Sequence, residues 1–162
     1  MDLKIKIIKV DKPEDLNTII GQTHFIKSVE DLYEALITSA PTIKFGIGFV
    51  EASGDALVRW AGNDKDLIEL AKKNAYEISA GHVFIIFLKD AYPINVLNAI
   101  KNIQEVCCIY VASSNSLEVV IGETEQGRAI LGVVDGISPK GIETEEDIKK
   151  RKELLRKFGY KM

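Results

Sequence analysis

Two histidines, two cysteines, one tryptophan and four prolines occur in 162 residues, and each scarcity removes a class of function. The cysteines are adjacent, Cys107–Cys108, so they form neither a disulfide framework nor a Cys-x-x-Cys metal or redox pair. As strand neighbours they would point to opposite faces and share a metal poorly, and they read as buried thiols. No His-Glu-x-x-His helix occurs, nor a dinucleotide fingerprint, nor a nucleophile-elbow serine. A Walker-type phosphate loop is missing too, because Lys140–Gly141 has neither the glycine spacing before it nor Ser or Thr after it. No apolar run reaches the ~18–20 residues of a bilayer-spanning helix. The opening Met-Asp-Leu-Lys-Ile-Lys-Ile-Ile alternates charge with apolar residues where a leader would carry an apolar core. A cytoplasmic protein without a membrane partner is expected. Basic excess is also lacking: 21 Lys and Arg face 24 Asp and Glu, for a net charge of -3. Nucleic-acid-binding domains concentrate a basic excess on one face, so no nucleic acid is expected.

What is present is a chain with 46% hydrophobic and 28% charged residues, suited to one compact domain over residues 1–162. Leu3–Val10 alternates as a half-solvated strand suited to a sheet edge. After the Asp11–Lys12–Pro13 break and a polar stretch, Ser28 and Asp31 have capping-box spacing for a helix that Pro41 ends. Ile43–Ala52 and Ala56–Trp60 flank Ser53–Gly54–Asp55 as a hairpin. Asn63 or Asp64 caps a helix to about Ser79, with Gly81 as its left-handed stop. His82–Leu88 is nearly all apolar, a strand covered on both faces, and Pro93 suits the first turn of a helix to Asn102. Val106–Ala112, Leu117–Glu123 and Ala129–Val134 read as a three-strand meander whose last member is buried. Thr144 and Asp147 have the spacing to cap a final helix. The order of elements predicts an α+β (mixed α/β) fold with a mixed, largely antiparallel sheet, the two strands around the Pro93 helix making a parallel crossover.

The best candidate for a site is Glu123–Gly141. Here Glu123, Glu125, Gln126 and Arg128 surround Gly127, and Asp135 and Lys140 follow the apolar run. Arg grips phosphate with paired hydrogen bonds and Lys offers a movable charge. Glu123, Glu125 and Asp135 could contact Mg2+, since a nucleotide's ion needs only one or two protein oxygens; the same charges also read as hairpin salt bridges. Asn95, Asn98 and Lys101 share one face near a helix start. The amides suit a base edge or ribose hydroxyls, and the helix end suits a phosphate; Asn95 reads equally as a first-turn cap. His82 stands where a helix hands over to a strand, from which an imidazole can face a cleft or simply bond at the strand end. His24 is a weaker case. Trp60 can stack on a base, although core packing is the commoner fate. Glu51 and Ser53 either line a pocket or make the turn.

Several stretches together resemble a known family. They are Phe-Gly-Ile-Gly-Phe-Val-Glu-Ala-Ser-Gly at 45–54, Arg-Trp-Ala-Gly-Asn-Asp at 59–64, Ala-Gly-His-Val-Phe-Ile-Ile-Phe-Leu at 80–88 and Pro-Ile-Asn-Val-Leu-Asn-Ala-Ile-Lys at 93–101. Ser-Pro-Lys-Gly-Ile-Glu-Thr-Glu-Glu-Asp-Ile at 138–148 and the opening segment complete the likeness. The pattern is similar to that of the adenosine-specific kinase family of small prokaryotic proteins. The resemblance implies binding of adenosine, AMP, ADP or ATP, phosphoryl transfer to or from it, and a homo-oligomer, with a trimer-based assembly as one option. It does not say which side chains touch the ligand, so roles come from chemistry. Asn95 and Asn98 would read base or ribose, and Gly127 would allow close approach beside Gln126. Arg128 and Lys140 would hold phosphate; Asp135 or Glu123 would orient Mg2+ or take a proton, with His82 the alternative base. These residues are expected to form one composite pocket, and a non-catalytic nucleotide-binding module is the rival reading.

Overall fold

The computed structural model describes residues 2–162. Two antiparallel sheets and four helices form an α+β fold. Its elements are β1 (Lys4–Lys9), β2 (Asn17–Thr23), α1 (Ser28–Ser39), β3 (Lys44–Val50), β4 (Val58–Gly62), α2 (Lys65–Ile78), β5 (Val83–Lys89), α3 (Pro93–Lys101), β6 (Val106–Ser113), β7 (Leu117–Glu123), β8 (Arg128–Asp135) and α4 (Glu145–Lys157). The larger sheet runs β4-β3-β5-β2-β6 and the smaller β1-β7-β8.

β5 sets the layers. Its near-continuous apolar run is buried on both faces. Phe84, Ile86 and Leu88 meet Leu32 and Leu36 of α1 and Val96 and Ile100 of α3. Val83, Ile85 and Phe87 meet α2 and the inner face of the small sheet, including Val119, Ile121 and Ile130. The large sheet is thus sandwiched, and each such side chain stabilises the fold by roughly 1.5–3 kcal/mol through removal from water. α2 begins where the Asp64 carboxylate accepts from the Asp66 and Leu67 amides at 3.1 and 3.2 Å. It lies on β3 because Gly46 leaves room: a Cβ there would stand 2.2 Å from the Leu67 carbonyl.

Several expectations are corrected. β2 lies in the stretch read as polar linker, and it separates β5 from β6. Those two strands run in the same direction, as a crossover requires, but each pairs antiparallel with β2. The expected meander splits, because β7 and β8 pair in the small sheet while β6 joins the large one. β8 is not buried throughout: Ile130 faces the core, whereas Leu131 and Val134 lie exposed on an uncovered outer face. Cys107 and Cys108 are exposed, since β6 is an edge strand. Ser28 sits inside α1, its hydroxyl donating to the Phe25 carbonyl at 2.6 Å, and Lys27 holds the cap position. The left-handed stop of α2 is Ser79, not Gly81. Trp60 is exposed, with the Lys72 ammonium 5.3 Å above its ring. The capping box at Thr144 and Asp147 forms as read, yet α4 buries none of its residues. No helix among the described residues is long and apolar enough to cross a membrane.

Candidate active site at the junction of the two sheets

One end of the large sheet carries most of the chemistry. β3 ends there at Val50–Glu51, β2 ends at Gln22–Thr23, and β5 starts from Gly81–His82. Ala80 forms a parallel bridge with Arg128, which ties this end to the small sheet. A cleft of about 470 Å³ opens at the junction. Glu51, Ala52, Ser79 and Gly81 form one wall and Gln126, Gly127 and Arg128 the other, with Leu3 and Leu131 between.

Arg128 is held from two sides. Its Nε donates to Glu123 Oε2 at 2.6 Å, and its Nη1 donates to the Glu77 carbonyl at 3.0 Å, at the end of α2. Lys6 Nζ meets Glu123 Oε1 at 2.6 Å. The bonds from Lys6 and then Arg128 hold the Glu123 carboxyl below its usual range. The turn that follows β7 closes through Thr124, whose amide donates to the Gly127 carbonyl at 2.9 Å. A Cβ at Gly127 would meet nothing within 4 Å, so the glycine serves neither packing nor a left-handed turn. Across the cleft, Arg59 donates from Nε and Nη2 to Glu51 Oε2 at 3.0 and 2.6 Å, leaving Glu51 Oε1 without a partner among the described residues.

His82 is fixed in the left-handed region at φ +60°, a conformation that costs a non-glycine residue free energy and clusters at functional sites. Its amide donates to the Val50 carbonyl at 2.7 Å, and its carbonyl accepts from the Thr23 amide at 2.9 Å. The imidazole lies parallel to Phe49, 6.0 Å between centroids, and Phe49 faces Arg59 across the β3–β4 ladder. Gln22 supports the turn, its Nε2 donating to the Gly81 carbonyl at 3.2 Å while its Oε1 accepts from the Tyr110 hydroxyl at 3.0 Å. Burial pushes the Tyr110 phenol up to about 12, so it stays a donor.

The structure brings together Glu51, Gln126, Gly127 and Arg128 from the sequence reading, with Glu123 behind Arg128; it does not bring in His82, whose imidazole packs on Phe49 of the core on the other face of the large sheet. It does not bring in Asn95, whose Oδ1 accepts from the Tyr92 amide at 2.9 Å; the residue is a helix cap. Asn98 is exposed on the same helix, and α3 packs against the opposite face of the large sheet from β8. Within one chain, therefore, no single pocket joins Asn95 to Arg128. Asp135 ends β8 opposite Leu117, seven residue steps from Arg128, or about 23 Å along a strand. Its Oδ1 accepts from Ser113 and Asn115 at 2.7 and 3.0 Å. Asp135 and Glu123 thus cannot share one ion within this chain. Ser53 makes the turn, accepting at its carbonyl from the Ala56 amide, and Lys140 lies in an exposed segment beyond β8. His24 is exposed on the loop after β2. Sequence reasoning missed Lys6, Gln22, Arg59 and Tyr110 as site-builders. Only Arg59 left a signal, a charge beside Trp60 on the hairpin that carries Glu51.

Fold and cleft define a small α+β protein with a ligand-sized, arginine-bearing cleft at the meeting point of two sheets. The sequence profile of the family described as adenosine specific kinase matches residues 8–161, and the chain belongs to that family. Among solved structures it is similar to the PH1918 protein of Pyrococcus horikoshii OT3, with 52% identity over 99% of each chain and a TM-score of 0.96. No curated protein matches it.

Proposed function

We propose that the chain binds adenosine or an adenine nucleotide in the junction cleft and transfers a phosphoryl group to or from it. The observation that carries this reading is the Ala80–Arg128 bridge, which sets the turn Gln126–Gly127–Arg128 against Gly81–His82. A phosphate on the first side meets the open Gly127 backbone and the Arg128 guanidinium. Phosphoryl transfer is mostly positioning and charge neutralisation, so it does not require a P-loop. With Asp135 remote, both Glu123 oxygens engaged by cations and the His82 ring packed on Phe49, the free Glu51 Oε1 on the cleft wall is the base. It takes the proton of the substrate hydroxyl as that oxygen bonds to phosphorus and the donor's bridging P–O bond breaks.

Glu123 and Asp135 do not fit a shared Mg2+ site, so no step is routed through a protein-held ion. Mg2+ enters this proposal only on the nucleotide's phosphates. A second reading, a non-catalytic nucleotide-binding module, is favoured by one feature: Arg128 already has Glu123 and the Glu77 carbonyl as partners. Calorimetry with adenosine, AMP, ADP and ATP, with and without Mg2+, followed by labelled-phosphate transfer, separates the two. Tight binding without turnover selects the module, and no binding of any adenine compound removes both.

A cytoplasmic homo-oligomer, with trimers as one option, belongs to the same proposal. The uncovered outer face of the small sheet supports it, since Ile5 and Ile7 are 66% and 64% exposed there. Apolar faces of this kind mark association surfaces. A second copy laid on it would also wall the cleft, which Leu3 and Leu131 line. Sedimentation of the chain measures this directly, and a monomer at all concentrations removes it.

A further inference from the structure

β6 carries two irregularities beside the junction cleft. In its antiparallel ladder with β2, Ile20 faces Val111 and Gly21 faces Ile109, so Tyr110 is skipped; Gln22 faces Cys108 and Thr23 faces Val106, so Cys107 is skipped. Bulges next to functional sites re-aim a side chain. The side chain re-aimed here is that of Tyr110, whose hydroxyl donates to Gln22 Oε1 at 3.0 Å. Gly21 allows the strands to pinch together at this point, because a Cβ there would stand 2.7 Å from the Cys108 carbonyl oxygen. Chemistry fixes the direction of the bonds that follow. The Gly81 carbonyl only accepts, so the end of the Gln22 amide that meets it, at 3.2 Å, is the Nε2 donor. The other end is then an acceptor, and Tyr110 must donate. Burial keeps this phenol protonated, its pKa pushed up to about 12, so the chain of bonds stays closed at physiological pH.

One peptide unit carries this chain to the cleft. Its carbonyl, that of Gly81, is held by Gln22, and its N–H, that of His82, donates to the Val50 carbonyl at 2.7 Å. Val50 immediately precedes Glu51, and Glu51 and Gly81 line the same wall. The segment is strained: His82 sits at φ +60° and Ser79 at φ +49°, conformations that persist in non-glycine residues only where the surroundings over-determine them. We infer that Tyr110 and Gln22 are positioning residues of the cleft: they clamp the Gly81–His82 peptide and, through Val50, hold the Glu51 carboxylate where it meets the substrate hydroxyl. The inference rests on the proposed role of Glu51 as the base. Neither Tyr110 nor Gln22 lines the cleft, so both act through the backbone of its wall. The opposite wall, to which the phosphate is assigned, has its own supports for Arg128 in Glu123 and the Glu77 carbonyl.

Steady-state phosphoryl transfer by Tyr110→Phe, Gln22→Met and the double variant of the full chain, with amide exchange at His82, tests this. Each single variant is expected to lose about tenfold or more in kcat, because small displacements of a reacting group carry such costs. KM for the adenine ligand should stay within about threefold of wild type, since the phosphate wall is untouched. The double variant should be no slower than Gln22→Met, as members of one chain of bonds are not additive, and the His82 amide should exchange faster in all three. Wild-type kcat in both single variants overturns the inference, as do losses that multiply in the double variant or that come from KM alone. If the wild-type chain transfers no phosphate, the base reading fails separately. Exchange at His82 then decides the clamp, faster in Tyr110→Phe upholding it and unchanged refuting it.

Discussion

Arg128 and Glu77 lie 51 residues apart, yet the Arg128 guanidinium donates to the Glu77 carbonyl at 3.0 Å, so the entry to β8 is fastened to the last turn of α2. The same guanidinium holds Glu123 at 2.6 Å. One side chain therefore braces both the cleft wall and the two-sheet junction.

Stability should follow the Glu123 carboxyl. Its folded pKa is depressed below the ordinary 4.5 by Lys6 and Arg128. The contribution is therefore present above that value and is lost as pH falls through the folded pKa. The melting temperature of Glu123→Gln should sit below wild type at neutral pH, with the gap closing under pH 4.5. A gap that stays constant into acid would show that the carboxylate's charge contributes nothing.

Two glycines should respond in opposite ways. Gly46→Ala forces a Cβ to 2.2 Å from the Leu67 backbone, so chemical denaturation should show a loss of about 1–3 kcal/mol or more. Gly127→Ala meets no atom within 4 Å and should unfold like wild type. Its affinity for AMP should nevertheless fall, because the new methyl occupies the path of the phosphate.

Glu51→Gln keeps the size of the side chain, so the fold should survive while phosphoryl transfer falls by about 100-fold or more; His82→Asn, a residue type that tolerates the left-handed region, should leave transfer near wild type. Wild-type transfer rates in Glu51→Gln would remove Glu51 as the base. Asp135→Asn, by contrast, should leave transfer and its Mg2+ dependence unchanged, since Asp135 stands at the far end of β8.

These assignments show what the sequence carries and what it hides. β5 was legible because Val83–Leu88 is apolar at every position, which only a doubly covered strand explains. β2 was hidden because Asn17, Thr18, Gln22 and Thr23 are polar yet sit in the large sheet. Partners distant in sequence, Ala91, Gly81 and Tyr110, satisfy Asn17 and Gln22. In the cleft, the glycine at 127 and the charges beside it stood out, whereas His82 after Gly81 misled, because its ring packs on Phe49. The Asn95–Asn98 spacing misled because a helix cap and a ligand-reading face share the same three-residue interval. Asp135 and Glu123 belonged together only in the linear chain; an eight-residue strand holds them apart.

Thr144→Ala should loosen α4 alone. Its hydroxyl accepts from the Asp147 amide, and N-cap loss costs about 0.5–2 kcal/mol of helix stability. Because α4 buries none of its residues, amide exchange should accelerate there while the global unfolding midpoint stays put. A matching drop in global stability would mean that α4 is part of the cooperative core.

A crystal structure of the chain with AMP is the most direct measurement. The account predicts the 5′-phosphate within hydrogen-bonding distance of the Gly127 amide and the Arg128 guanidinium, with Gly81 against the nucleoside. A phosphate bound at the start of α3, or beside Asp135 and Lys140, would contradict it.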